Sequence, residues 1–187
     1  YLGDPLNAVK IFNEKEVDEL VILDIYASKE NREPNFDRIK SIATECFMPL
    51  AYGGGIKTIA HIKKAFDQGI EKVILNTSSI NLNLIKEASD IYGSQSIVVC
   101  VDVKKNFFGK YEAFIKSGSQ KVKEKLDNHI INIEKAGAGE IIIQFINNDS
   151  EMQGYDLDLI TRVSNITTIP IVALGGAGKI DDLKEAI

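Results

Sequence analysis

Apolar residues fall into two alternating kinds of run along this chain. Short, nearly unbroken Val/Ile/Leu stretches occupy Leu20 to Ile25, Met48 to Tyr52, Lys72 to Asn76, Ser96 to Val103, Glu140 to Ile146 and Pro170 to Leu174. Unbroken rather than alternating apolar character marks strands covered on both faces, the habit of parallel sheets. Between them apolar residues recur at helical spacing, which predicts helices over Leu6 to Glu14, Phe36 to Glu45, Ile59 to Asp67, Asn83 to Tyr92, Lys121 to Ala136, Asp156 to Val163 and Ile180 to Ile187. Gly69, Gly93 and Gly137 or Gly139 fall just past helix ends, where a left-handed cap favours glycine. Gly109, between Val101 to Lys104 and Tyr111 to Ile115, predicts a hairpin above the strand mouths.

The whole rhythm repeats at an offset of 121 residues without a gap. Glu19 recurs as Glu140, Ile25 as Ile146, Asp37 as Asp158, Pro49 as Pro170, Gly54 and Gly55 as Gly175 and Gly176, and Lys63 as Lys184. A copy of this length holds about four strand-helix pairs of roughly 30 residues each, so it reads as half of an eightfold barrel. The twin of the strand at 96–103 would precede Tyr1, and the twin of the strand at 72–76 would follow Ile187. The expectation is an α/β chain, one domain over residues 1–187, forming part of a (βα)8 TIM barrel with a half-barrel repeat. It would be a fragment with strands two to seven, lacking strands one and eight, because an open set leaves unpaired edges that soluble proteins avoid.

Composition narrows the function. A formal net charge of −5 offers no footprint for nucleic acid, and the basic stretch Lys116 to Lys125, interrupted by Glu124, reads as a solvated helix start. No apolar run approaches the roughly 20 residues of a bilayer crossing, and no signal peptide opens the chain, so neither membrane nor export is expected and the location reads as cytoplasmic. Cys46 and Cys100 lack metal-ligand spacing and read as reduced and inert. Neither metal nor cofactor is expected.

In such barrels chemistry sits where strands end. Gly53-Gly54-Gly55, Asn76-Thr77-Ser78-Ser79 and Gly175-Gly176-Ala177-Gly178 follow three strands, and glycines let backbone amides approach a phosphate. The same glycines would serve tight strand-to-helix turns. Opposed pairs in the two halves suit a substrate with a phosphate at each end. His61 and His129 lie within helical patterns and read as exposed helix residues, which leaves carboxylates for acid/base work. Asp24, Asp102 and Asp149 stand near strand mouths. Asp102, after Ile97 to Val101, is placed for partial burial and proton transfer, or for pairing with Lys104. Asp149 sits in a polar loop that also reads as a solvated turn. At the opposite strand ends Glu19, Lys72 and Glu140 would form a charged ring at the barrel bottom, or be ordinary loop charges.

The runs Asp18 to Ile25, Tyr52 to Ile56, Lys72 to Thr77, Gly93 to Gln95, Val101 to Lys104, Gly137 to Glu140, Gly154 to Asp156 and Gly175 to Gly178 resemble HisF, the cyclase subunit of imidazole glycerol phosphate synthase, over essentially the whole chain. The resemblance implies a barrel that takes ammonia from a HisH-like glutaminase docked at its bottom. With it the family cleaves and cyclises a bisphosphorylated ribonucleotide into imidazole glycerol phosphate and an aminoimidazole carboxamide ribonucleotide. It implies Asp102 as one of two catalytic aspartates, Gly55, Asn76 and Thr77 near one phosphate, Gly176 near the other, and Glu19, Lys72 and Glu140 as members of the ammonia gate.

Departures from the family pattern point to a changed substrate. Gln144 stands where the family has a small hydroxyl residue, Leu174 where it has serine before Gly-Gly, and Asn147-Asn148-Asp149-Ser150-Glu151 where it has Asp-Arg-Asp-Gly-Thr. Losing a buried hydroxyl removes a hydrogen-bond partner and narrows the mouth. Arg32 to Phe36, Met48 to Tyr52 and Leu174 to Gly176 look more like HisF paralogues encoded with surface-polysaccharide genes. These are paired with a glutaminase and an amidotransferase and supply nitrogen for acetamidino groups on sugars. Three alternatives stay open at this point: the histidine-pathway cyclase, a non-catalytic ammonia conduit, and an isomerase of the related half-barrel family, which the gate residues disfavour.

Overall fold

The computed structural model describes residues 4–148 and 151–187, which divide into two compact units, Tyr1–Leu75 and Asn76–Ile187. In the first unit α1 (Pro5–Glu14) precedes β1 (Leu20–Leu23), α2 (Ile25–Lys29), α3 (Phe36–Glu45), β2 (Leu50–Gly53), α4 (Ile59–Phe66) and β3 (Lys72–Leu75). Its strands pair in parallel in the order β1-β2-β3. Asp4 caps α1 through the Leu6 amide and Pro5 opens it, where the missing N–H costs nothing. Burial of all four β2 residues explains its unbroken apolar character.

The second unit contains α5 (Leu82–Tyr92), β4 (Ile97–Lys105), β5 (Tyr111–Ile115), β6 (Gln120–Lys121), α6 (Leu126–Lys135), β7 (Glu140–Phe145), α7 (Leu157–Ser164), β8 (Ile171–Leu174) and α8 (Ile180–Glu185). β7 lies between β4 and β8, parallel to both, while β5 and β6 extend β4 antiparallel as the hairpin signalled by Gly109. One-turn helices at Thr77–Ile80, Ser94–Ser96 and Ile146–Asn148 complete the connections.

The sequence repeat is a structural repeat down to its hydrogen bonds. Leu20 pairs with Leu50 through Leu23 with Gly53 in the first unit, and Ile141 with Ile171 through Gln144 with Leu174 in the second, every partner displaced by the same 121 positions. The Leu20 amide donates to Pro49 O at 2.9 Å and the Ile141 amide to Pro170 O at 3.0 Å. Asn35 caps α3 through the Arg38 amide, and its twin Asp156 caps α7 through the Leu159 amide. The twins Gly55 and Gly176 hold φ of +72° and +108°, and a Cβ at either would strike backbone, of Arg32 and of Gly154 respectively.

Four sequence expectations are corrected. The strand expected to run to Ile25 ends at Leu23, because the Asp24 carboxylate accepts from the Tyr26 and Ala27 amides and starts α2 there. Lys116 to Lys125 is not a helix start. Its lysine-rich end is the outermost hairpin strand β6, since Gln120 and Lys121 pair with Ile115 and Phe114, and α6 begins only at Leu126. His129 is not an exposed helix residue but 1% exposed, on the face of α6 that also buries Ile130 and Ile133. His61 is half-buried, edge-on to Phe36, with Nε2 3.5 Å from Glu33.

The twin caps have diverged in strength. Asn35 satisfies one amide, whereas Asp156 also accepts from the Tyr111 hydroxyl at 2.6 Å and pairs with Lys105 at 3.0 Å. Burial works against the Asp156 charge, but the Tyr111 hydroxyl, the Leu159 amide and Lys105 outweigh it and hold its pKa below the usual value. Asp156→Ala is expected to cost roughly 2–3 kcal/mol in urea unfolding at pH 7 against roughly 1 kcal/mol for Asn35→Ala. A depressed carboxylate stabilises above its unfolded pKa of about 3.9 and loses that contribution as pH falls through the lower folded value. The gap between wild type and Asp156→Ala should therefore narrow in acid.

Candidate functional site

β4 carries seven consecutive buried residues, Ile97 to Val103, and Asp102 is among them at 3% exposure. Its Oδ2 has no hydrogen-bond partner. Burial pushes the Asp102 pKa up to about 6, against the Gly118 amide, the Asn76 side chain and the Lys104 charge, all of which favour the carboxylate. A carboxyl group tuned this way exchanges protons near neutrality.

The loop whose Gly118 amide favours the Asp102 carboxylate has an unusual backbone. Lys116, Ser117 and Gly118 take left-handed φ values of +53°, +53° and +74° in succession, a costly run for two residues that carry Cβ atoms. Lys104 Nζ donates to Gly118 O at 2.6 Å and lies 4.7 Å from the Phe114 ring centroid. Lys104 thus fixes the loop by a hydrogen bond to its backbone; the anticipated direct pairing with Asp102 survives only as a longer-range charge effect. The Asn76 side chain ties the turn after β3 to this strand by donating to Cys100 O at 3.1 Å. Thr77 Oγ1, next along that turn, is buried without a partner.

Asp102, Gln144 and Leu174 share one row of the sheet. Asp102 is the register partner of Gln144 across β4 and β7, and Gln144 of Leu174 across β7 and β8. Strands in register lie about 4.8 Å apart and partners point to the same face, so an amide and an apolar wall stand beside the catalytic candidate. Sequence reading identified the three residues separately; their alignment emerges from pairing. Asp149 lies outside the described residues.

Other expectations receive plainer outcomes. Asp24 is committed elsewhere, because besides the two α2 amides it forms two 2.9 Å contacts with the Arg32 guanidinium. Gly55 and Gly176 adopt φ of +72° and +108° at close chain approaches, to Arg32 O and Gly154 O, so turn geometry by itself accounts for both glycines. Glu19 and Lys72 meet at 2.8 Å, partly buried, at the starts of β1 and β3, and Glu140 opens β7 as the twin of Glu19. Both cysteines are free, and burial raises the Cys100 thiol pKa well beyond neutrality. Among the described residues no group of three or more His, Cys, Asp or Glu is placed to hold a metal, and no helix is long and apolar enough to cross a membrane.

A parallel α/β chain with a buried carboxylate at a strand mouth and an internally duplicated register is the class these features define. The whole chain, residues 1–187, matches the histidine biosynthesis protein family, and it belongs to that family as a relative of the HisF subunits. It is 46% identical over 184 residues, covering 98% of this chain and 73% of the relative, to a Pseudomonas aeruginosa protein provisionally named imidazole glycerol phosphate synthase subunit hisF2. It is likewise 46% identical, over all of this chain and 73% of the relative, to a Vibrio vulnificus protein provisionally named subunit hisF3. To the imidazole glycerol phosphate synthase subunit HisF of Alkaliphilus metalliredigens it is 35% identical, covering 98% and 73%.

Two variants probe the Asp102 environment. Gly118 holds φ of +74°, where a Cβ is strained, so Gly118→Ala should shift the amide away from Asp102 and raise its pKa above 6, read by carboxyl carbon-13 titration. A carboxylate raised above its unfolded value makes stability fall as pH rises from about 4 to about 6. Asp102→Asn is therefore expected to stabilise the fold by up to roughly 3 kcal/mol at pH 7 and to be indifferent below pH 4.

Proposed function

We propose that this chain is the barrel subunit of a HisF-type system that uses ammonia released by a glutaminase partner. In this reading it belongs to the paralogue branch serving acetamidino modification of surface-polysaccharide sugars. The observation that carries the catalytic part is Asp102, a buried carboxyl with a pKa near 6 and an oxygen left without a partner. When ammonia attacks an electrophilic carbon, its nitrogen must shed a proton and the departing oxygen must gain one. Asp102 can accept the first and return the second. A passive conduit has no use for a carboxylate kept at a cost to the fold.

Further features support the same reading. Gly55, Asn76, Thr77 and Gly176 serve as phosphate-site residues, and the unpartnered Thr77 hydroxyl suits an anionic acceptor. Glu19, Lys72 and Glu140 serve as gate residues at strand starts, the end away from the mouth, where the glutaminase would dock. Residues 1–187 form a single (βα)8 domain in the intact protein, with two further strands closing it. In keeping with this, β1 and β8 each have one partner strand among the described residues and leave Val21 and Val172 41% exposed. The paralogue assignment rests on Gln144 and Leu174 beside Asp102, and on greater identity to hisF2 and hisF3 than to HisF of Alkaliphilus metalliredigens.

The histidine-pathway cyclase is the second reading, favoured by retention of Asp102, Asn76 and Thr77. Given ammonium and the bisphosphorylated ribonucleotide of histidine biosynthesis, the full-length protein is expected to show little turnover; efficient production of imidazole glycerol phosphate would assign it to that pathway instead. With its partners present, Asp102→Asn should lose glutamine-dependent nitrogen transfer by roughly 10²–10⁴-fold. Undiminished transfer would identify a conduit.

A further inference from the structure

Ser79, His129 and Glu124 form a hydrogen-bonded chain through the interior of the second unit. His129 Nδ1 lies 2.8 Å from Glu124 Oε1, and His129 Nε2 lies 3.4 Å from Ser79 Oγ. Asn132 donates to the other Glu124 oxygen at 2.9 Å. Ser79 and His129 are each 1% exposed, while the Glu124 side chain is 34% exposed at a groove of about 490 Å³ beside the hairpin. With the Nδ1 hydrogen donated to the Glu124 carboxyl oxygen, Nε2 is left to accept from the Ser79 hydroxyl.

The residue types are those of a serine nucleophile with its base and orienting acid, but Ser79 is sealed from solvent and no substrate could reach it. The chain is also an inefficient way to stabilise a helix. Leu126, Ile130 and Ile133 already bury the same face of α6, and an apolar residue at 129 would avoid taking polar groups out of water. What the chain does specify is position. Ser79 belongs to the one-turn helix Thr77–Ile80, its amide donates to Asn76 O at 3.0 Å, and Asn76 reaches Cys100 O on β4. The turn is thereby tied to β4 through Asn76 and to α6 through Ser79.

We propose that His129 is a positioning residue: Glu124 orients His129, His129 holds Ser79, and the turn so held presents Asn76 and Thr77 to a phosphate-bearing ligand. This inference rests on the reading of Asn76 and Thr77 as phosphate-site residues. In this proposal the 3.4 Å Ser79–His129 contact shortens when the turn binds phosphate.

The probe is inorganic phosphate, titrated into the full-length protein with nitrogen-15 histidine labelling. The expected results are a shift of the His129 Nε2 resonance on phosphate addition and a loss of affinity of roughly three- to tenfold in His129→Phe. Ser79→Ala should lose a similar amount, and the double variant no more than either single one. His129→Gln, whose amide can still accept from Ser79, should recover part of the affinity. Thermal unfolding of each variant separates a lost fold from a lost contact, since a merely structural histidine would lower the melting temperature without changing phosphate affinity in the folded protein. Unaltered affinity in folded His129→Phe and Ser79→Ala, or an unmoved Nε2 resonance at saturation, would overturn the proposal alone. Absence of phosphate binding by the wild type would overturn it together with the phosphate reading.

Discussion

The parallel pairing of β4 with β7 is the constraint on which the site depends. Partners run from Val98 with Glu140 to Val103 with Phe145, and β4 is buried over its first seven residues. A strand covered on both faces can place a side chain at its carboxyl end only by taking it out of water. When that side chain is Asp102, the charged form is penalised and the pKa moves toward neutrality. The Gly118 amide and the Asn76 side chain favour the carboxylate and return part of what is lost, which requires the hairpin to come back over the strand and the turn after β3 to reach across to it. The left-handed run Lys116 to Gly118 is the backbone consequence.

The duplicated units show how one register supports two outcomes. In the first, Asp24 after β1 is consumed by the α2 amides and by Arg32, so it fixes a loop. In the second, the position of Leu23 is taken by Gln144 and that of Gly53 by Leu174, beside an aspartate with an oxygen left unpaired. The α7 cap likewise gained contacts that its twin lacks, with Asp156 joining the helix start to Tyr111 and Lys105 of the hairpin. Identical hydrogen-bond frames thus carry loop anchoring by Asp24 in one unit and, in the other, the Gln144 and Leu174 that stand in a row with Asp102 of β4.

Most of the strand and helix order was legible in the sequence, because burial on both faces writes unbroken apolar runs and helices write their own period. α3 was bounded to the residue and α8 starts at Ile180 as expected, while α7 starts one residue later than expected because Asp156 is its cap. The errors share one cause. α2, β6 and the true start of α6 are set by a side-chain cap and by hairpin pairing, which leave little trace in apolar spacing. At the site, Asp102 could be picked out from its place after an apolar run. The burial of His129 could not, since one histidine in an amphipathic helix looks the same whether it faces water or a serine; only Glu124 five residues earlier hinted at a partner.

By itself, then, the sequence determined the α/β class, the duplication and the candidate carboxylate, because apolar periodicity and self-similarity are local or linear properties. Tertiary structure alone decided that Asp102, Gln144 and Leu174 share a row, that Asp24 is spent on Arg32, and that Ser79, His129 and Glu124 form one chain. Those outcomes depend on strand register and on contacts between residues tens of positions apart. No local pattern encodes them; they exist only once the strands have paired.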